Sequence, residues 1–510
     1  MALLALLSVY AFLVMGYHPG LEDDAFYLAA IKKNLNPALF PHDADFFRVQ
    51  FQATVFDKLI ALSVRLTHVP LAWTELLWQL AAIFLMLHGC WRISRRCFSD
   101  RAAQWAAVTM IAALLTLPVT GTGINLADQY LHPRTLATAA ILAAIVNVMD
   151  KWLWRAGILL AAAFAIHALM ASFGISLCAF LCWRQNAQHR HSAVPLAAAI
   201  LVPFGWIFEP ASDAWRQAAA TRSFYFVSRW QWYEWLGVFA PLALLYGFRR
   251  WHRAQVPNDT SALSLLVDSL IPYGVFQTLI GLVIMLVPGL LRLRPFEPMR
   301  YLHLIYLFFF LIAGALLGRY LLNRRVYRWL LLFVLLSAGM FYAQRQMYAA
   351  TAHLELPGAK SQNAWVGAFA WIREYGPTDA LFALDPHYMA LPGEDYHGFR
   401  ALAEHSVLAD YEKDGGMAAR VPRLAPRWLK EVNALNGWRG FQAADFQRLK
   451  VDFGVTWFVF SSADRQFADR QPSHFWCLYQ DEEVKVCHLG ETTKQPPFRS
   501  LDQSGASRGF

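Results

Sequence analysis

The sequence predicts a polytopic α-helical membrane protein, about eleven transmembrane helices followed by a C-terminal α/β soluble domain. Three observations lead there. Apolar stretches long enough to cross a bilayer recur from Met1 to about Gln346 and then stop. The 510 residues are 57% hydrophobic with a mean hydropathy of +0.32, more apolar than a soluble chain of this length needs for its cores. The Lys and Arg residues sit in short clusters between the apolar stretches, as membrane proteins distribute them. The net charge of +9 therefore forms no face or tail for nucleic acid, which is excluded as a partner. The boundary falls near 350: 1–349 is the membrane module, 350–490 a globular domain, and 491–510 a polar tail expected to be disordered.

Taken in order, the apolar stretches fall at 1–17, 70–91, 102–119, 134–149, 156–183, 193–209, 232–248, 261–290, 303–321 and 329–346. The first lacks a basic n-region and a small-residue cleavage site, so it reads as an uncleaved helix, short enough for the start to lie upstream. Connections 92–101, 150–155, 184–191, 249–254 and 322–328 carry 14 Lys and Arg in 37 residues, against 11 in 98 for 18–69, 120–133, 210–231 and 291–300. The denser set is assigned to the cytoplasm. The two sets alternate only if 156–183 crosses twice, and His167, Ser172 and Gly174 interrupt that stretch. A break near His167 gives eleven crossings, with the N-terminus inside and the C-terminal domain outside.

The first outer loop, 18–69, has an organisation of its own. A helix over 50–66 would put Gln52, Val55, Phe56, Leu59, Leu62 and Leu66 on one face, with Gln50, Asp57, Lys58 and Arg65 off it. Such a helix lies in the membrane interface or packs on the protein surface. Ahead of it comes YHPGLEDDAFYLAAIKKNLNPALFPHDADFF, residues 17–47. Glu22, Asp23 and Asp24 repel one another there, so a raised pKa or a cationic partner is expected. Asp24 is also placed to cap a helix over 25–35, which would make this a plain solvated loop. A second acidic group, His42, Asp43 and Asp45, could bind a divalent cation but lacks a diagnostic ligand spacing.

The acidic run followed by Ala25, Phe26 and Tyr27 resembles the first outer loop of the GT-C superfamily, membrane glycosyltransferases that use polyprenyl-phosphate sugars. There an Asp-Glu-Ala-Tyr-Tyr type motif carries the catalytic carboxylate. Asp23 matches that carboxylate, Asp24 stands where Glu is usual, and Phe26 and Tyr27 match the aromatic pair. The exchange leaves both Glu22 and Asp23 open as the base. More closely, the chain resembles a bacterial branch of GT-C-like proteins. Those carry an EDD loop, a Pro-His-Asp segment (here Pro41, His42, Asp43), a Pro-Arg pair opening the fourth helix (Pro133, Arg134) and a His in the broken helix pair (His167).

The resemblance covers most of the chain. It implies transfer of a sugar from a polyprenyl-phosphate donor to an acceptor at the outer face of the bacterial cytoplasmic membrane. Asp23, Glu22 and Asp24 would form the catalytic group, membrane lipid would be a partner, the C-terminal domain would be periplasmic, and no cofactor is certain. The rival is a non-catalytic transporter or lipid-linked polymer assembly protein of the same architecture. The absence of internal symmetry and of a polar midplane counts against a transporter.

Such a transfer needs a carboxylate to take the acceptor's proton and cations to stabilise the departing phosphate. Outer-loop arginines are the candidates, Arg222 and Arg229 in ATRSFYFVSRWQWYEW and Arg292, Arg294 and Arg300 in RLRPFEPMR. A guanidinium donates two parallel hydrogen bonds to a phosphate, although lipid headgroups use the same residues. Trp230, Trp232, Tyr233 and Trp235 read first as an interfacial aromatic belt and second as a sugar platform. Asp128, His132 and Arg134, in GINLADQYLHPR (123–134), either contact substrate or hold their loop. His167 is functional or satisfies backbone at the break. With His42, Asp43 and Asp45 these complete the substrate-binding candidates.

Beyond 350 the elements alternate. Helices are expected at 363–376, 399–405, 426–438 and 443–454, strands at 380–385, 405–411 and 455–462, and a hairpin of WCLYQ and VKVCHL around Asp481–Glu483. A small open sheet flanked by helices follows, without a nucleophile motif, phosphate loop or metal signature. In the hairpin a three-residue loop would pair Gln480 with Val484 and hence Cys477 with Cys487, within disulfide range. Cys90, Cys97, Cys178 and Cys182 fall in or near cytoplasmic helix ends and should stay reduced.

Overall fold

Residues 1–187, 210–256, 261–323, 325–464 and 475–490 are described by a computed structural model. Its helices are α1 (Ala2–Met15), α2 (Asp24–Leu35), α3 (Asp45–Ala53), α4 (Phe56–Thr67), α5 (Leu71–Cys97), α6 (Arg101–Ala113), α7 (Pro133–Met149), α8 (Leu153–Ile166), α9 (Ala168–Ala187) and α10 (Asp213–Ala220). They continue as α11 (Trp232–Gln255), α12 (Ala262–Leu286), α13 (Leu302–Leu317), α14 (Val326–Met347), α15 (Ala364–Tyr375), α16 (Phe399–Ala403), α17 (Lys413–Arg420), α18 (Ala425–Leu435) and α19 (Ala443–Phe453).

Polar residues at the expected offsets start the long helices. Asp100 accepts from the Ala103 N–H, and Ser261 accepts from the Ser264 N–H. Gln231 and Glu234 form a reciprocal capping box on α11. Among the described residues, five stretches are long and apolar enough to cross a membrane: Leu71–Cys97, Ala168–Asn186, Ala262–Leu286, Pro298–Leu322 and Val326–Met347. Shorter apolar helices, α1, α7 and α8, pack among them. The expected span 193–209 and the tail 491–510 lie outside the described residues, the expected span 232–248 in α11 is not among the five, and the structure does not confirm the count of eleven.

Helix packing in the bundle relies on small residues. A Cβ on Gly314 of α13 would stand 2.8 Å from the Ala106 carbonyl of α6, and one on Gly318 would stand 2.6 Å from that of Ala102. Glycine lets the two backbones meet where no hydrophobic drive separates helix from lipid.

Ion pairs mark one end of the bundle. Arg96 binds Asp150, and Arg184, Arg249 and Arg253 converge on Asp268, which ties the charge-dense connections together in two pairs. The chain breaks at His167 (φ −154°, ψ 89°), between α8 and α9. There the Val55 N–H donates to the Ala165 carbonyl at 2.9 Å, which puts the break at the other end, beside the first loop. α8 therefore runs from the Asp150 end to the loop end, and α9 returns.

The helix expected over 50–66 is two helices, α3 and α4, parted at Thr54–Val55. α4 buries Phe56, Asp57, Ile60 and Ala61, while Val55, Leu62 and Leu66 stay 43%, 49% and 72% exposed. The packed face is thus rotated from the expected one because Asn34 on α2 hydrogen-bonds Asp57 and draws that edge inward. The side chains of Gln50 and Gln52 lie outside the described residues.

The first loop and the 118–125 segment, where β1 (Pro118–Val119) pairs with β2 (Ile124–Asn125), meet the C-terminal domain. That domain holds β3 (Leu381–Ala383), β4 (Ser406–Val407), β5 (Trp457–Ser461), β6 (Phe475–Gln480) and β7 (Val484–Leu489) in the order β4-β3-β5-β7-β6. The first three strands are parallel and the last three antiparallel. Its core is not its own. Phe26, Phe40, Phe46 and Phe47 of the first loop and Trp215 of α10 share one buried cluster with Ala409, Met417 and Trp428.

Cys477 and Cys487 are disulfide-bonded and directly paired. The route to that pairing differs from the expected one. Gln480 faces Lys485 and Tyr479 faces Val486, one residue off, and a bulge at Leu478 restores the register. Asp481 decides this: its carboxylate accepts from the Glu483 and Val484 N–H groups and adds a residue to the turn. α17 was not expected at all, because Gly415–Gly416 reads as a loop.

Candidate functional site

The acidic run turns sharply before α2. Gly20 (φ +80°) and Glu22 (φ +53°) both take left-handed backbone, and the Glu22 N–H donates to the Tyr396 carbonyl. Asp24 folds back to accept from the Gly20 N–H at 2.6 Å and is 1% exposed. Asp23, at the N-cap position of α2, makes no capping bond with its side chain. Its carboxylate is left to face outward.

It faces a cavity of about 440 Å³ where the bundle meets the C-terminal domain. The walls are the 22–26 turn, the 118–134 segment, Arg222–Tyr225, the start of α11, Glu297 and Arg300, the end of α14, and α17. Five cations line it, Arg134, Arg222, Arg300, Lys413 and Arg420, together with Glu22, Asp23, Asp128, Glu234 and Glu297.

Most of these charges are paired. Lys413 bridges Glu22 and Asp23, 3.0 Å from Asp23 Oδ1, and is itself 4% exposed. Asp128 receives Arg134 on both carboxylate oxygens. Glu297 receives Arg300 at 2.6 Å and Arg420 at 2.9 Å. Burial opposes ionisation of Asp23, but Lys413, with Arg420 and Arg222 behind it, holds its carboxyl well below the usual range. Burial pushes Asp24 the other way, up to about 7, against the Gly20 hydrogen bond.

His132 completes the group. Its Nδ1 accepts from the Arg134 N–H at 2.9 Å, capping α7, so the neutral ring carries its proton on Nε2. Nε2 stands 4.0 Å from Asp23 Oδ2. Burial, then Arg134, depresses the pKa of this ring well below its usual value, which keeps it neutral. Tyr27 stacks edge-on against it at 4.9 Å, and His167 lies behind it at 6.0 Å. The His167 Nδ1 accepts from the Met170 N–H at 3.3 Å, a backbone role at the helix break.

The remaining candidates are placed elsewhere. Asp43 is buried against Arg400 and the Val407 N–H. His42 binds the Asp379 carbonyl, and Asp45 lies 3.6 Å from both Arg48 and Arg427. Among the described residues no three His, Cys, Asp or Glu side chains are grouped to hold a metal ion. Arg229 bonds the Ala220 carbonyl and Arg292 the Pro210 carbonyl, both away from the cavity. Arg294 stacks on Phe226 at 5.4 Å and lines a small neighbouring recess. Of the aromatic group, Tyr233 lines the cavity, Trp230 packs on Gly121, and Trp232 is 76% exposed.

Sequence reasoning missed Lys413, Arg420 and Glu297. Lys413 and Arg420 are seven residues apart, which puts them on one face of a two-turn helix. That signal was present, but the glycine pair between them masked the helix.

No protein-family model matches the chain, and no curated protein does. Among solved structures, the chain is similar to the Archaeoglobus fulgidus oligosaccharyltransferase in its apo form. The likeness has 11% identity and a TM-score of 0.41, over 90% of this chain and 69% of that one.

Proposed function

We propose that the protein is an inverting glycosyltransferase that moves a sugar from a polyprenyl-phosphate donor to an acceptor in this cavity. The observation that carries the reading is the carboxylate of Asp23, 31% exposed, opening into a space that five cations also line. Asp23 takes the proton of the acceptor hydroxyl as its oxygen bonds the anomeric carbon. The bond from that carbon to the phosphate oxygen breaks, and its electron pair leaves with the phosphate, whose charge the cations stabilise. Neutral His132 flanks the carboxylate, its Nε2 4.0 Å from Asp23 Oδ2. The site works at the outer face of a bacterial cytoplasmic membrane, where the donor's lipid stays in the bilayer. A specific observation favours a second reading. Lys413 makes Asp23 a weak base, as would suit a non-catalytic protein that binds or assembles lipid-linked polymers.

The test is release of polyprenyl phosphate from a panel of polyprenyl-phosphate hexoses by the full-length protein in lipid nanodiscs. Release that depends on an added hydroxyl acceptor supports transfer. Binding of donors without release by any of them would favour the second reading.

A further inference from the structure

The five cations of the cavity are not equivalent. Arg134 is neutralised by Asp128, and Arg300 by Glu297. Arg222 has no ion pair or side-chain hydrogen bond among the described residues, yet it lines the cavity. Its position is built by α17. A Cβ on Gly416 would stand 2.8 Å from both Nε and Nη2 of Arg222, and one on Gly415 would stand 2.9 Å from the Thr221 side chain. The two glycines cost helix propensity in an eight-residue helix. What they permit is a guanidinium seated close against the helix face. On the same helix, Lys413 has three N–H donors, of which Glu22 and Asp23 take two. Arg420, one face-repeat away, is shared with Glu297 and is 34% exposed.

We infer that α17 of the C-terminal domain builds the anion subsite of the cavity, with Arg222 seated on Gly416 and Lys413 and Arg420 beside it, for a phosphate group. This rests on the cavity being where the phosphate-bearing substrate binds. It assigns the reading of that phosphate to the globular domain and to the segment before α11, not to the outer-loop arginines 292 and 294. Gly416 is a positioning residue: it acts only through the guanidinium it seats.

The experiment reads binding without turnover. Thermal unfolding of the full-length protein in detergent is followed with a polyprenyl monophosphate and, separately, with inorganic phosphate. Ligand that binds the folded state raises the midpoint by an amount that grows with the logarithm of its concentration over Kd, so a midpoint series against concentration yields the apparent affinity. Wild type should be stabilised by the polyprenyl phosphate. Stabilisation by inorganic phosphate as well would show that the anion alone is recognised, and both results support the subsite. Arg222→Gln, Lys413→Gln and Gly416→Ala should each weaken the apparent affinity at least tenfold. Gly416→Ala raises helix propensity, so its loss of binding cannot come from melting α17. Arg229→Gln, just outside the cavity, should bind as wild type does. Unchanged affinity in Gly416→Ala and Arg222→Gln would overturn the inference, as would equal weakening by Arg229→Gln or no stabilisation of wild type. Binding that behaves as expected in a protein that transfers no sugar would leave the subsite standing and remove the transferase reading.

Discussion

Two acidic clusters in this chain wrap a buried cation, and both join the first loop to the C-terminal domain. At Lys413 the partners are Glu22 and Asp23, whose side chains remain 36% and 31% exposed. At Arg400 they are Asp43 and Asp414, 1% and 0% exposed. Arg400 also donates toward the Val407 carbonyl at 3.4 Å, and Asp414 accepts from the Asp410 N–H. The sealed cluster pairs its charges within the protein and is buried. The open one leaves oxygen surface facing a cavity. The chemistry of the groups is nearly the same, and solvent access separates a sealed structural clamp from a cluster open to the cavity.

The comparison is broken most forcefully at Asp23. Asp23→Asn should lower sugar transfer roughly 10²–10⁴-fold, the usual worth of a general base, with the unfolding midpoint near that of wild type. Transfer assays beside thermal unfolding check both halves. A midpoint collapse on Asp23→Asn would make the open cluster a clamp like the other.

Arg400→Met should do the reverse. It leaves buried carboxylates without their cation, which costs about 3–5 kcal/mol. Loss of folded protein, seen as a lowered midpoint or poor yield, is the expected outcome. If the variant folded normally but transferred no sugar, the sealed cluster would have a part in the reaction.

The pH dependence of stability separates the two further. Burial first, and then the charge of Asp414, push Asp410 up to about 8. In an unfolded chain it titrates near 3.9, so between these values the folded state holds a proton that the unfolded state has lost. Stability from this group is complete at the acid end and falls as pH rises toward 8, by up to about 1.4 kcal/mol per unit. Asp24, raised to about 7, adds a contribution of the same sign. Asp23 is depressed and contributes stability that is lost only in acid. Unfolding midpoints from pH 6 to 8.5 should therefore decline in wild type. Asp410→Asn should reduce that slope, and Asp23→Asn should leave it unchanged.

The smallest effect is expected at Glu22. It shares Lys413 with Asp23, but His132 stands beside Asp23, so Glu22→Gln should lower transfer only a few-fold. Activity retained in Asp23→Asn and lost in Glu22→Gln would move the base by one residue.

Much of the bundle was legible because bilayer-crossing helices leave a signal in the local chain. Apolar length set the spans, and the polar interruption at His167 marked the break between α8 and α9. The Cys477–Cys487 pairing could also be read locally, although the turn at Asp481 took a different route to it. The cavity could not. Asp23 was a candidate from its neighbours in sequence, but its difference from Asp24 lies in which one folds back onto the Gly20 N–H. Lys413 is 390 residues away from Asp23, and no pattern along the chain predicts their 3.0 Å contact. Hydrophobic length and periodicity act over a few turns and are written in consecutive residues. Pairing of charges is decided by which loops the packed cores of the C-terminal domain carry over the bundle, so only the tertiary structure shows which acidic cluster is open.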